Sequence, residues 1–322
     1  MTALRRMCVR AALRLAMSCV VVALAQPALA ANREEALTIV GSDTLSTLLL
    51  RWIDAFRAGH AAVAIQLQTP GSASAPIALL EGAADLGAMS RSMSESERAS
   101  FRSRFGYEPT GIVVAHDAIV VFVHPDNPLD RITRRQLDAI YSSTRRCGAA
   151  AAITRWSELG APADGKVADI LPIGRNDASG TYAFFRDNAL CGGEYRADVV
   201  AWPGHGATVA AVAANPEAIG YAGIGYVNGL VKPLAFAPEE GARAVAPVMR
   251  NVMNGDYALS RPLYLYVNRP PDRAPAPLSE AFVAFALSDA GQAMVGQEGF
   301  LEATGEERSM QARSIHATIP PS

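Results

Sequence analysis

The sequence predicts an α/β protein built on mainly parallel sheets, and three observations carry that prediction. Short apolar or alternating segments rich in β-branched residues recur along the chain, segments with helical spacing stand between them, and several junctions are clusters of Gly, Ser and Thr. Strands alternating with helices at this rhythm favour βαβ units, because parallel neighbours need a crossover and a helix supplies it. With 322 residues, half of them hydrophobic and 19% charged, the composition is that of a globular protein with a sizeable buried core.

The N-terminus reads differently from the rest. Arg5, Arg6, Arg10 and Arg14 precede the uncharged run "LAMSCVVVALA", and "ALA" at 28–30 offers small residues for cleavage. This is the pattern of a secretory signal peptide over 1–30, cleaved after Ala30. The apolar run at 15–25 is shorter than the roughly 20 residues of a membrane span. "AMS" before Cys19 is a poor box for lipid attachment, so the expected product is soluble and exported, not a lipoprotein. The leader carries those four arginines and no acid, so its removal takes the formal net charge from −2 to −6. Non-specific nucleic-acid binding needs basic surface, and no nucleic-acid partner is expected. An anion must then be held by local geometry rather than by bulk charge. Of the four cysteines, Cys8 and Cys19 leave with the leader. Cys147 and Cys191 remain, an even pair in an oxidising compartment without metal-ligand spacing, and they predict a disulfide.

Along the mature chain, "ALTIV" (36–40) reads as a strand ending at Gly41. A helix follows, with Leu45, Leu48, Leu49, Trp52, Ile53 and Phe56 at three- and four-residue spacing. "AVAIQLQ" (62–68) alternates as a half-exposed strand does, "APIALLEG" (75–82) is a short helix closed by Gly82, and "ADLGAMS" (84–90) is another short strand. "GIVVAHDAIVVFVHP" (111–125) is strongly β-forming. "RRQLDAIY" (134–141) is helical, "ADILPIGR" (168–175) a strand, and 180–190 helical. Residues 207–227 read as helix, turn and strand, "SRPLYLYVNRP" (260–270) as a strand, and 279–295 as one final helix. Two α/β lobes joined by the β segments near 111–123 and 262–268 fit this rhythm.

Three strands end in a Gly/Ser/Thr cluster at which a helix begins: "GSDTL" (41–45), "GSASA" (71–75) and "ASGTY" (178–182). Such residues cap helices, satisfying the free N–H groups of the first turn. The same N–H groups, the positive helix end and the hydroxyls also suit an anion, and in open α/β sheets these turns lie where ligands bind. "GRNDASGTYAFF" (174–185) places Arg175 four residues before Ser179, and "SR" at 90–91 follows a further strand. These additions favour the anion over plain capping.

"GSDTL", "GSASAPIALLEGAADLGAMSRSM", "GRNDASGTYAFF" and "AIGYAGIGYV" resemble, in order and spacing over nearly all of the mature chain, the phosphate-binding proteins of high-affinity phosphate ABC transporters. The resemblance implies a two-lobed type II periplasmic binding protein fold, each lobe a mainly parallel sheet flanked by helices. Residues 31–115 would form the first part of lobe 1, 116–261 lobe 2, and 262–322 the returning C-terminal part of lobe 1. It implies a monomeric periplasmic protein that captures inorganic phosphate between the lobes and delivers it to a membrane permease. Carried over residue by residue, the phosphate-binding set is Thr44, the backbone N–H of Leu45, Ser72, Ser90, Arg175, Ser179, Gly180 and Thr181. Asp177 would hold the arginine in place. Well-known members have an aspartate at the position of Ser90, where it accepts the proton of hydrogen phosphate. Here Arg91 follows Ser90 instead, and Asp43, otherwise a helix cap, becomes the candidate acceptor. That departure leaves other oxyanions (sulfate, molybdate, arsenate), or a sensing or adhesion role without transport, as alternatives.

No enzyme, cofactor or metal is expected. "ASGTY" is not the G-x-S-x-G of a hydrolase nucleophile, and the five histidines, His60, His116, His124, His205 and His316, are scattered without ligand spacing. Trp52, Phe56, Phe184 and Phe185 lie at helical spacing among apolar residues and read as core.

Overall fold

The computed structural model describes residues 36–161, 169–316 and 319; the leader expected over 1–30 lies outside them. The first strand, β1 (Ala36–Gly41), buries Leu37, Ile39 and Val40. A 3-10 turn at Asp43–Leu45 leads into α1 (Ser46–Gly59), whose buried Leu48, Leu49, Trp52, Ile53 and Phe56 form the apolar stripe the spacing predicts. Then come β2 (Ala64–Gln68), α2 (Ser74–Leu80) and β3 (Leu86–Met89). The next helix, α3 (Glu95–Phe105), buries only Phe101, so it presents no apolar period to read. It is set instead by its ends. Ser94 and Glu97 form a reciprocal capping box, and Gly106 closes the helix at φ 82°.

The fourteen-residue β4 (Thr110–Val123) follows, then β5 (Arg131–Thr133), α4 (Arg134–Tyr141), β6 (Leu171–Arg175) and α5 (Gly180–Ala189). The chain continues through β7 (Val200–Trp202), α6 (His205–Ala213), β8 (Ala218–Gly223), β9 (Lys232–Pro233), β10 (Ala235–Ala237) and α7 (Met249–Met253). It ends with β11 (Ser260–Val267), α8 (Pro277–Leu287), α9 (Asp289–Gln297) and α10 (Gly305–Ser314). The single final helix expected over 279–295 is two. Ser288 is extended (φ −70°, ψ 165°) and its hydroxyl accepts the Gly291 N–H at 3.1 Å, so a cap breaks the run and starts α9. The helix α10 was not foreseen; like α3 it buries a single residue, Ala312.

The principal sheet runs β2-β1-β3-β11-β4-β8-β6-β7, with β9 beside β4. Strand β1 is parallel to β2 and β3, and β6 is parallel to β7 and β8. Within this sheet the antiparallel strand pairs among the described residues all involve β4 or β11, the two strands that run from one core to the other. From Thr110 to Ala118 β4 pairs with β11, and from Ile119 to Val123 with β8. The cores divide at the same points. One gathers Leu37, Trp52, Val114, Ala115, Leu263 and Phe282; the next begins at Ala118 and Ile119, runs through Tyr141, Phe185 and Tyr221 to Leu259, and also includes Leu301 from the C-terminal part of the chain.

Cys147 and Cys191 are bonded, with their Cα atoms 5.5 Å apart. The buried Asp138 carboxylate accepts the Cys147 N–H at 2.7 Å and so ties this bridge to the end of α4. Closing a loop of this length stabilises the fold by about 4 kcal/mol in the chain-entropy account.

Candidate functional site

Three loops meet where β1, β3 and β6 end. Ser42 donates its N–H to the Ala88 carbonyl at 2.8 Å, and its hydroxyl accepts the Thr44 N–H at 3.2 Å, so the first loop is pinned to the end of β3. Gly71 donates to the Gly41 carbonyl at 2.9 Å, and Ala73 to the Ala178 carbonyl at 3.1 Å. That second contact requires Gly71 to have no side chain: at φ 138° its Cβ would stand 2.3 Å from the Ala178 oxygen. Ser179 caps α5, its hydroxyl accepting the Thr181 N–H at 3.1 Å. The bland capping role and the convergence of loops therefore occur together.

Between the loops lie four buried hydroxyls. Thr44 Oγ1 is 3.3 Å from Ser90 Oγ and 3.4 Å from Thr181 Oγ1, and Ser72 Oγ is 3.3 Å from Ser90 Oγ. Gly180 sits against them so closely that a Cβ there would lie 2.3 Å from Ser72 Oγ and 2.5 Å from Ser90 Oγ.

Two arginines flank the hydroxyls. Arg175 is buried, pairs through Nη2 with Asp43, and donates from Nε to the Trp202 carbonyl at 3.3 Å. Arg261, on β11, is fully buried with Asp117 of β4, donating from Nε at 3.0 Å and from Nη2 at 2.7 Å. The same Nη2 reaches Thr181 Oγ1 at 3.0 Å and Thr44 Oγ1 at 3.4 Å. Burial lowers Arg261 below the ordinary guanidinium value, and Asp117 opposes that shift. Three buried polar atoms here have no hydrogen-bond partner among the described residues: Arg175 Nη1, Arg261 Nη1 and Asp43 Oδ1. A buried unmatched donor or acceptor costs roughly 1–3 kcal/mol. Two charged donors and one carboxylate acceptor beside a set of hydroxyls and a helix start suit a small tetrahedral oxyanion that carries a proton.

His205, at the start of α6, is tied to the first loop. Its Nδ1 accepts the Gly223 N–H at 3.0 Å, so in the neutral ring Nε2 carries the proton. Nε2 then donates to Thr44 Oγ1 at 2.9 Å and is no base for that hydroxyl. The Tyr226 ring stacks on the imidazole at 4.6 Å, and its hydroxyl donates to the Thr44 carbonyl at 3.0 Å. Burial, with Arg175 and Arg261 nearby, holds the imidazole pKa well below its ordinary 6.5. Between the folded and unfolded values the unfolded chain binds one proton more, so this stability is complete above about pH 6.5 and is lost as the pH falls below it. Stability from urea unfolding is expected to fall with acidification by up to about 1.4 kcal/mol per pH unit from this group. His205→Gln should fall less steeply; equal slopes would remove His205 from the effect.

Of the residues the sequence singled out, Thr44, Ser72, Ser90, Arg175, Ser179, Gly180 and Thr181 come together. Three expectations are corrected. The Leu45 N–H is taken up by the Ser42 carbonyl at 3.3 Å, closing the 3-10 turn. Arg91 is turned to Glu97, with two contacts of 2.7 Å, and so reinforces the cap of α3. The carboxylate on Arg175 belongs to Asp43, not to Asp177, because the first loop reaches across to the end of β6. Phe184, expected in the core, is only partly buried and lies under Arg261, the guanidinium carbon 5.5 Å from its ring centre. Arg261, Asp117 and His205 were missed. The available signal was an arginine and an aspartate inside two segments otherwise apolar enough to be buried strands, where each needs a partner.

A family model for the PBP superfamily domain matches residues 26–290. The phosphate-binding protein PstS of Pseudomonas aeruginosa is 43% identical over 265 residues, 82% of this chain and 82% of that protein. The chain belongs to the PstS family of the PBP superfamily. PstS of Staphylococcus aureus (strain USA300) is 25% identical over 284 residues, 87% of this chain and 82% of that one. Among solved structures, a substrate-binding protein with bound phosphate from Clostridium perfringens has a TM-score of 0.69 at 25% identity, covering 84% of this chain and 100% of that chain. An ABC-type phosphate transport receptor from Vibrio cholerae has a TM-score of 0.66 at 22% identity, with the same coverage. The two-lobed type II periplasmic binding protein fold expected from the sequence is the fold of this chain.

Proposed function

We propose that this protein captures inorganic phosphate between two lobes in the periplasm and delivers it to the permease of an ABC transporter. One observation carries the choice of anion: beside the buried hydroxyls, Arg175 and Arg261 each keep an unpartnered Nη1 and Asp43 an unpartnered carboxylate oxygen, Oδ1. Arg175, the start of α5 and the hydroxyls of Thr44, Ser72, Ser90 and Thr181 donate to the phosphate oxygens. Asp43 accepts the proton that phosphate retains near neutral pH. Membership of the PstS family and the bound phosphate of the Clostridium perfringens structure support the reading. The lobes are 31–115 with 262–322, and 116–261, a division supported by cores that separate between Ala115 and Ala118 and between Leu259 and Leu263. The leader directs export and is removed after Ala30, and the mature protein acts as a monomer without metal or cofactor.

Sulfate carries no proton, so an ionised Asp43 sets a carboxylate against an aprotic oxygen and rejects it. Ligand-stripped protein titrated calorimetrically is expected to bind phosphate and arsenate, the two protonated oxyanions, in preference to sulfate and molybdate. Asp43→Asn should weaken phosphate about tenfold or more and narrow its lead over sulfate. Tighter sulfate binding by the wild type would overturn phosphate as the ligand. Unchanged affinities in Asp43→Asn would return Asp43 to a structural partner of Arg175.

A further inference from the structure

We propose that Arg261 is a second anion-binding arginine, which contacts the bound oxyanion through Nη1 and gives the site its preference for the doubly charged form. The inference rests on the oxyanion reading above and deepens it. A guanidinium is a rigid planar fork, so fixing one edge fixes the other. In Arg261 the Nε/Nη2 edge is held by Asp117, while the remaining N–H of Nη2 lies against the hydroxyls of Thr181 and Thr44. The end edge, carrying Nη1 beside Nη2, is thereby presented at the point where the first loop meets α5. The side chain is fully buried, yet Nη1 has no protein partner. A structural ion pair does not need that edge. A guanidinium whose second edge faces a set of anion-binding hydroxyls does.

The charged and titratable groups around it are Asp117 on β4, Asp43 in the first loop, Arg175 at the end of β6, His205 on α6 and Tyr226, which stacks on His205. Two arginines and two aspartates cancel, and the buried His205 is neutral, so a bound anion meets paired charges with two guanidinium N–H groups still free. Arg175 and Arg261 approach from different elements, β6 and β11, so each can take a different oxygen. A second guanidinium edge adds charge-assisted donors, and these hold the form with more negative charge more strongly although the ion pairs cancel overall. Phosphate affinity of the wild type is therefore expected to rise as the pH passes upward through the second ionisation of phosphate.

The test is calorimetric titration of the mature protein with phosphate below and above that ionisation, with Arg261→Gln and Asp117→Asn alongside. Arg261→Gln should bind roughly 30-fold more weakly and lose most of the rise with pH. Asp117→Asn keeps the arginine and frees it of its counter-charge, so phosphate binding should be retained or tightened even where the variant is less stable. Should Arg261→Gln fail to fold, Asp117→Asn decides. Wild-type affinity and wild-type pH dependence in a folded Arg261→Gln, or loss of binding in a folded Asp117→Asn, overturns the proposal. Failure of the wild type to bind phosphate overturns the phosphate reading instead, and the variants are then compared on whichever of sulfate, arsenate or molybdate it binds.

Discussion

Arg175→Ala is expected to weaken phosphate binding by about 2–5 kcal/mol, the largest loss at any position in the site. Arg175 is buried, its Nη2 is committed to Asp43 and its Nη1 has no partner, so truncation removes a charge-assisted donor that is still free for an anion. It also leaves Asp43 without a counter-charge, and that carboxylate then repels the anion it was placed to accept a proton from. Arg175→Lys restores the charge without the planar fork, and it cannot serve Asp43, the Trp202 carbonyl and a ligand at once. Its affinity should fall between those of the wild type and the alanine variant. Calorimetry measures the binding, and urea unfolding without ligand measures how much of the loss is structural. Wild-type affinity in a folded Arg175→Ala would remove the residue from the site.

Gly180→Ala is expected to cost on the order of 1–3 kcal/mol of phosphate affinity, roughly 5- to 150-fold. One methyl group is enough, because the added Cβ would stand 2.3 Å from Ser72 Oγ and 2.5 Å from Ser90 Oγ. The two serines follow β2 and β3 and Gly180 starts α5, so the methyl pushes the third loop off the others and displaces hydroxyls that would meet the anion. The same clash exists without ligand, so the unfolding midpoint should fall as well, and calorimetry on the folded variant separates the two losses. A variant with unchanged affinity and midpoint would mean that the serines yield to the methyl.

The parts of this protein legible from sequence are the ones that short-range chemistry dictates. The apolar period of α1 follows from residues three and four apart, and the junctions at 41–45 and 178–182 cap the 3-10 turn and α5 through contacts two residues away, whereas at 71–75 no side chain caps α2 and the Ser72 hydroxyl accepts the Ser90 N–H instead. The helices α3 and α10 escaped because each buries one side chain and is set by its caps rather than by an apolar face. The break at Ser288 escaped because apolar spacing continues across it while a single hydroxyl reverses the backbone. The candidate site divides the same way. Its hydroxyls and Arg175 stand in local motifs. Its charge pairs join residues far apart in sequence, Asp43 with Arg175 and Asp117 with Arg261, and nothing local distinguishes Asp43 from Asp177 as the partner of Arg175. By itself, then, the sequence determined the alternation of strands and helices, the Gly/Ser/Thr junctions and the pairing of Cys147 with Cys191, since each depends on neighbours or on composition. Only the tertiary structure decided which carboxylate serves which arginine, that Arg261 and His205 reach the pocket, and that Arg91 does not. A buried charge is partnered by whatever the fold brings within about 3 Å of it, and that distance is set by strand order and loop approach rather than by position along the chain.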